Sequence, residues 1–160
     1  MNKLRYSLLL VFLLANISFS YEIFSNGEYF KNFLERKILN SKEIKIVTYS
    51  MDDTITNHLM NKNHHIIIDP SANRSTLDLN IQNVTAPKTG IQHEKFYIFD
   101  NKEVVFGTGN MTYSGILGDR NIYIYTDDIN ITNTFLKEFN YLATQKYKKP
   151  LDQIIKKTKL

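Results

Sequence analysis

Residues 92–110 constrain this chain more than any other stretch. Gln92 to Phe99 and Val104 to Phe106 are two strand-like runs joined by the polar Asp100-Asn101-Lys102, and together they predict a β-hairpin. His93 and Lys95 stand on its first strand, and Gly107-Thr108-Gly109-Asn110 follows directly after the second. Strand residues two apart point the same way, so His93 and Lys95 share a face that Tyr97 and Phe99 continue. Asp100 falls at the turn, out of that row. The returning strand can bring Thr108 and Asn110 beside His93 and Lys95, and the glycines let backbone come close to a ligand. An imidazole, an ammonium, an amide and a hydroxyl then surround one small space suited to a phosphate.

Those groups are the equipment for cleaving a phosphodiester without a metal. A neutral imidazole can attack phosphorus and form a covalent phosphohistidine. A fixed lysine, aided by the amide, neutralises charge on the equatorial oxygens. A second group must protonate the leaving oxygen, and an imidazolium suits that near neutral pH. The chain carries this string once, so two histidines on opposite sides of phosphorus need two chains.

The rest of the sequence bounds the fold. The chain has 160 residues, 42% of them hydrophobic and 22% charged, which suits one globular domain with a real core. Residues 1–20 stand apart: a basic start with Lys3 and Arg5, an apolar run from Tyr6 to Phe19, and Ser18 and Ser20 before a cut ahead of Tyr21. This pattern reads as a secretory signal peptide, with an uncleaved membrane anchor as the alternative. It places the protein in the periplasm or outside the cell. Residues 21–160 form the single domain.

The chain holds 20 basic and 16 acidic side chains; without Lys3 and Arg5 the count is 18 against 16, or +2. Charge alone therefore does not identify a nucleic-acid partner. The absence of cysteine rules out thiol catalysis and disulfide staples. Asn-x-Ser/Thr sequons occur at Asn73, Asn83, Asn110 and Asn130. A glycan on Asn110 would block the phosphate cradle, which favours a bacterial exported protein.

Elements follow from periodicity. Tyr21 to Phe24 predicts a short strand, and the spacing of Phe30, Phe33, Leu34, Ile38 and Leu39 predicts a helix over 28–40. Residues 43–50 alternate as a strand, Asp52 opens a helix through Met60, and residues 65–69 form a buried strand ended by Pro70. This β-α-β-α-β opening predicts an α/β layer fold with neighbouring strands, a mixed central sheet with helices on both faces. Further on, Leu79 to Val84 predicts a short strand, Pro87 to Gly90 a turn, Ile122 to Tyr125 a strand, and the Ile129 to Leu142 periodicity a long helix. Leu151 to Leu160 predicts a basic tail helix.

The string from Gln92 to Gly115, HxKxxxxD followed by G-T-x-N, resembles the HKD motif of the phospholipase D superfamily. With its size, leader and single motif, the chain resembles the short exported bacterial endonuclease subgroup whose members dimerise to pair their motifs. The resemblance implies a metal-independent, non-specific endonuclease without a cofactor, acting on nucleic acid, with DNA favoured. A phospholipase D-type lipid hydrolase and a non-catalytic DNA-binding or DNA-uptake component are the alternatives. It implies that His93 is nucleophile in one subunit and general acid in the other, that Lys95 and Asn110 bind phosphate, that Thr108 stands where relatives often have serine, and that Asp100 is mainly structural. Relatives often carry a histidine-orienting glutamate eleven residues after the motif asparagine. Here that position is Asn121, and Asp119 is the nearby carboxylate that could substitute.

Other polar groups read more simply. His64 and His65 adjoin a strand, where neighbours face opposite ways, so they and His58 do not compose a metal site. Asp52-Asp53 and Asp127-Asp128 precede helices and read as caps. Tyr113, Tyr123 and Tyr125 read as packing residues, with base stacking in a groove as the sharper alternative. The lysines from Lys146 to Lys159 read as a solvated face, or as a patch that tracks a nucleic-acid backbone or anionic lipid.

Overall fold

The computed structural model describes residues 20–72, 74–84 and 90–144. The leader through residue 19, Asn73, most of the Pro87–Gly90 turn and the basic tail lie outside the described residues.

The chain opens with strand β1 (Tyr21–Ser25). Gly27, at φ 132°, then turns it into helix α1 (Glu28–Asn40), which buries Phe30, Phe33, Leu34 and Ile38 as the helical spacing predicts. Strand β2 (Glu43–Thr48) follows. Asp52 caps the short helix α2 (Asp53–Thr56) by accepting from the Thr54 N–H at 2.9 Å. That helix is shorter than its sequence pattern predicts and tightens into a 3₁₀ turn over Asn57–Leu59. Strands β3 (Asn63–Ile68), β4 (Ile81–Asn83), β5 (Phe96–Phe99) and β6 (Glu103–Gly107) come next. A π-helical turn, Ser114–Gly118, leads to β7 (Ile122–Thr126). Helix α3 (Ile129–Ala143) ends the described chain, capped by Asp128 through the Asn130 N–H at 2.8 Å.

The strands form one sheet in the order β1-β7-β6-β5-β2-β3-β4. The β2-β3 and β3-β4 pairs are parallel, and all other pairs are antiparallel. Alternation sorts the side chains onto two faces. Ile44, Ile46, Ile66, Ile68, Tyr97, Phe99, Val105, Tyr123 and Tyr125 pack with Phe24 and the buried stripe of α1. Val47, Ile67, Phe96, Ile98 and Val104 pack with Phe139 and Leu142 of α3. The architecture is thus a mixed α/β sheet covered by helices on both faces, as the pattern of elements predicts. Among the described residues no helix is long and apolar enough to cross a membrane.

One placement differs from the sequence expectation. β1 does not neighbour β2; it closes the far edge of the sheet, antiparallel to β7 with Ile23 opposite Ile124. Strand order is set by which edges remain open once the sheet assembles, and that is non-local information. Tyr123 and Tyr125 are packing residues: both are buried, and Tyr123 stacks on Phe30 at 3.8 Å between ring centroids. Tyr113 is exposed.

Candidate active site

The β5-β6 hairpin turns through Asp100 and Asn101, both left-handed at φ 52° and 58°. Asp and Asn tolerate that conformation better than most residues. The Asp100 carboxylate accepts from the backbone N–H groups of Lys42 and Glu43 at 2.8 and 2.9 Å. It therefore ties the hairpin tip to the start of β2, at the opposite end of β5 from His93.

At the other end the ladder reaches Lys95 but not His93. Regular pairing begins at Phe96 rather than Gln92, and the Gly107 N–H still donates to the Lys95 carbonyl at 3.1 Å. On the other side Val47 pairs with Phe96. Continuing that antiparallel register by one residue puts Thr48 beside Lys95. Lys95 thus sits between the ends of β2 and β6.

The Lys95 side chain is buried, and its ammonium donates to the His93 carbonyl at 2.6 Å. No carboxylate pairs with it among the described residues. Burial pushes its pKa down to about 8. His93 is exposed, and its pKa is lowered by partial burial and by the Lys95 charge. The imidazole is therefore neutral at neutral pH, the form able to attack. The Tyr49 ring lies against it at 5.5 Å and 55°. One residue before His93, the Gln92 N–H donates to the buried Asp69 carboxylate at 2.8 Å. Asp69 also accepts from the Ser71 N–H and hydroxyl at 2.9 and 2.6 Å.

The loop after β6 is held from two sides. On the β2 side, the Met111 N–H donates to the Thr48 hydroxyl at 3.2 Å, and the Asp52 N–H donates to the Met111 carbonyl at 3.1 Å. The Asp52 carboxylate takes the Tyr113 N–H at 2.7 Å. These bonds fasten Asn110 next to the segment that flanks Lys95. The Asn110 side-chain oxygen is buried with no hydrogen-bond partner. On the β7 side, the Thr108 hydroxyl donates to the Asn121 amide oxygen at 2.9 Å and accepts from the Ile122 N–H at 3.1 Å. The Asn121 amide N–H donates to the Gly115 carbonyl at 2.9 Å. Asn121 is therefore engaged at both ends within the loop. Asp119 is exposed, and its backbone N–H bonds to the Ser114 carbonyl at 2.6 Å.

Gly109 shows how tight this loop is. A Cβ there would overlap the Tyr123 hydroxyl and lie 2.7 Å from its Cζ and 2.9 Å from Asn121 Cγ. Tyr123 cannot yield, because it is stacked on Phe30 and donates to the Gly115 carbonyl at 2.7 Å. Gly109→Ala is expected to cost about 1–3 kcal/mol by overpacking and to shift Asn110. Urea unfolding beside a phosphodiesterase assay checks both effects.

The residue between His93 and Lys95 was not singled out by its sequence. Glu94 points to the α3 face, where it lines a cavity of about 480 Å³ with Lys95, Phe96, Phe106, Phe135 and Glu138. Burial, then the charge of Glu138, pushes its pKa up to about 7. Strand alternation opposite His93 was the available signal. The positions of Thr48, Tyr49, Asp52 and Asp69 carry no such signal, because they meet the motif only through tertiary pairing. The other histidines are engaged locally. His64 accepts from the Asn80 N–H at 3.0 Å, His65 bonds Gln82 at 2.9 Å, and His58 lies 3.5 Å from Glu35.

A mixed seven-stranded sheet with an HxK hairpin and a following G-T-x-N loop defines a phospholipase D-like protein. Residues 16–143 match the family described as cardiolipin synthase, PLD-like domain, and the chain belongs to that family. Among solved structures it is similar to the phospholipase D family member Nuc from Salmonella typhimurium, at TM-score 0.66 and 20% identity over 80% of this chain and 96% of that one. It is also similar to NucT from Helicobacter pylori, at TM-score 0.65 and 19% identity over 80% of this chain and 98% of that one. Phosphatidylserine synthase from Haemophilus influenzae matches at TM-score 0.53 and 11% identity over 81% of this chain and 39% of that one. At these identities the likeness is one of fold. No curated protein matches the sequence.

Proposed function

We propose that this protein is a metal-independent phosphodiesterase that cleaves nucleic acid, DNA by preference, as a homodimer. The observation that carries this is the Lys95 ammonium. It is buried, bonded to a neutral carbonyl, and has no carboxylate partner among the described residues. A buried cation without a counter-ion is costly, and an anionic substrate offsets that cost. Next to it stand a neutral imidazole and a free amide oxygen whose amide nitrogen can turn to a phosphate.

His93 of one subunit attacks phosphorus, forming a P–N bond as the P–O bond to the leaving group breaks. The imidazolium of the partner subunit's His93 gives its proton to that leaving oxygen. Water, deprotonated by the same partner imidazole, then displaces the first histidine and regenerates both groups. Lys95 and Asn110 hold the equatorial oxygens, Thr108 fastens their loop to β7, and Asp100 fixes the far end of the hairpin. The single motif per chain and the short single-domain format support a dimeric nuclease. On this reading residues 1–20 direct export, and the working compartment is the periplasm or the exterior, with the domain membrane-anchored if the leader stays attached.

One observation favours a second reading. The cavity beside Lys95 is walled by Phe96, Phe106 and Phe135, which offers apolar surface to an acyl chain and so supports phospholipid as substrate. Incubation with EDTA and either plasmid DNA or phosphatidylcholine vesicles, beside a His93→Ala control, separates the two. DNA cleavage that survives chelation and requires His93 is expected. Cleavage of lipid alone would replace the nuclease reading, and DNA binding without cleavage would reduce the protein to a binding component. A strictly monomeric active species on sizing would remove the paired-motif mechanism.

The rate should follow a bell-shaped pH profile. The acid limb reflects protonation of His93, whose pKa lies below the ordinary 6.5. The alkaline limb has two sources: loss of the proton that the general-acid copy of His93 must hold, and, through about 8, loss of the Lys95 proton. Lys95→Arg, which cannot deprotonate in this range, is expected to retain residual activity and to lose the component of the alkaline limb near 8, leaving the one set by the histidine.

A further inference from the structure

The charge state and orientation of His93 need a support, and the structure provides one outside the motif. Asn121 and Asp119 are the groups the sequence offers to orient His93, but the Asn121 amide is engaged by Thr108 and by the Gly115 carbonyl. Asp119 is exposed at the end of the π-helical turn. What lies against the imidazole is the ring of Tyr49. Tyr49 is held in turn. It follows Thr48, which takes the Met111 N–H, and precedes Met51, which bridges to Met111, and Asp52, which takes the Tyr113 N–H. The segment from Thr48 to Asp52 is therefore a strap with the motif loop bound along it and Tyr49 turned onto the histidine.

We infer that Tyr49 is the positioning residue of His93: its ring, fixed by the strap, orients the imidazole and shields one side of it from water. This rests on the reading of His93 as the nucleophile. The ring works by contact and by excluding water from one side of the imidazole, and it gives the imidazolium no anionic partner. A carboxylate partner would favour the charged form, whereas burial disfavours it. Lys95, on the same segment, is the charge that acts on His93, and the surface beside the imidazole also includes Glu94 and the apolar Leu142 of α3. Lys95 lowers the pKa in the same direction as burial. The consequence is a working range displaced to the acid side of 6.5, where one His93 of the pair is neutral and the other still holds its proton.

The experiment compares Tyr49→Phe and Tyr49→Ala with the wild type by histidine side-chain NMR titration and by kcat and KM across pH. The His93 signal is assigned by its loss in His93→Ala. Tyr49→Phe keeps the ring, so its titration is expected to match the wild type and its kcat to remain within about threefold. Tyr49→Ala admits water, so the His93 pKa is expected to rise toward 6.5. The acid limb follows it, and kcat falls about tenfold or more with KM little changed. A merely structural role would lower the folded fraction and leave the limb in place, and that result would overturn the assignment. So would a Tyr49→Ala variant with wild-type titration, or a Tyr49→Phe variant as impaired as Tyr49→Ala. A wild type inactive on every phosphodiester would sink the functional reading instead, while the titration would still decide the role of Tyr49.

Discussion

Replacing His93 with alanine is expected to lower phosphodiester cleavage by on the order of 10⁴-fold or more, because no other group supplies the covalent intermediate. The fold should be unchanged, since His93 is exposed and precedes the regular ladder of β5. Far-UV circular dichroism and the urea midpoint check that half of the statement, and plasmid nicking at saturating enzyme checks the other. The proposed dimer adds a sharper form. On the paired-motif mechanism proposed above, each composite site would use one histidine to attack and the other to protonate, so a mixed dimer would lose one of the two steps. Excess His93→Ala protein, allowed to exchange subunits with the wild type, should suppress nicking in proportion to mixed dimers formed. If activity merely dilutes, each chain acts alone and the paired-motif mechanism fails.

The second large effect concerns stability. Glu94 ionises at 4.5 when unfolded and at about 7 in the folded protein, because burial and the facing Glu138 oppose its charge. The folded state therefore holds a proton that the unfolded state has released between those values. Stability contributed by this group is intact below 4.5, is lost as pH rises toward about 7, and stays lost above it. The gap between the two values would correspond to about 3 kcal/mol in a fully dry site, and about 2 kcal/mol is expected because solvent reaches part of the chain. Glu94→Gln removes the charge at similar volume. It should raise the melting temperature at pH 8 by about 5 °C or more, and the advantage should vanish at pH 4. Differential scanning calorimetry at the two pH values reads the difference directly. Equal stabilisation at both would mean that packing, rather than charge, governs the site.

Much of this architecture is legible in the sequence. Helix α1 runs over Glu28–Asn40, the residues its apolar spacing marks, and its four buried residues lie on one stripe. The hairpin turn falls on Asp100 and Asn101, where the two residues tolerate left-handed backbone. These features are local, and local chemistry decides them. The motif itself could also be read, down to the separate placement of Asp100 from His93. What escaped was everything decided by pairing at a distance. Thr48, Tyr49 and Asp52 reach Asn110 and His93 only because β2 lies beside β5, and Asp69 reaches Gln92 only from the end of β3. Glu94 escaped for another reason: a strand-like pattern does not say that the face opposite the motif is closed by α3. The start of the β5 ladder was misplaced because alternation continues through residues whose backbone partners have run out.

The pairing of β1 with β7 has a consequence for how the chain is made. The open backbone groups at one edge of a sheet can bind water in the meantime, but Phe24 cannot complete the packing around Phe33 and Tyr125 until Tyr125 exists. The first strand leaves the ribosome about a hundred residues before its partner, and contacts of such separation form late. The emerging protein thus carries an unpaired strand with Phe24 uncovered through most of its synthesis, available to a chaperone. Only when residues 122–126 arrive can that strand withdraw into the sheet.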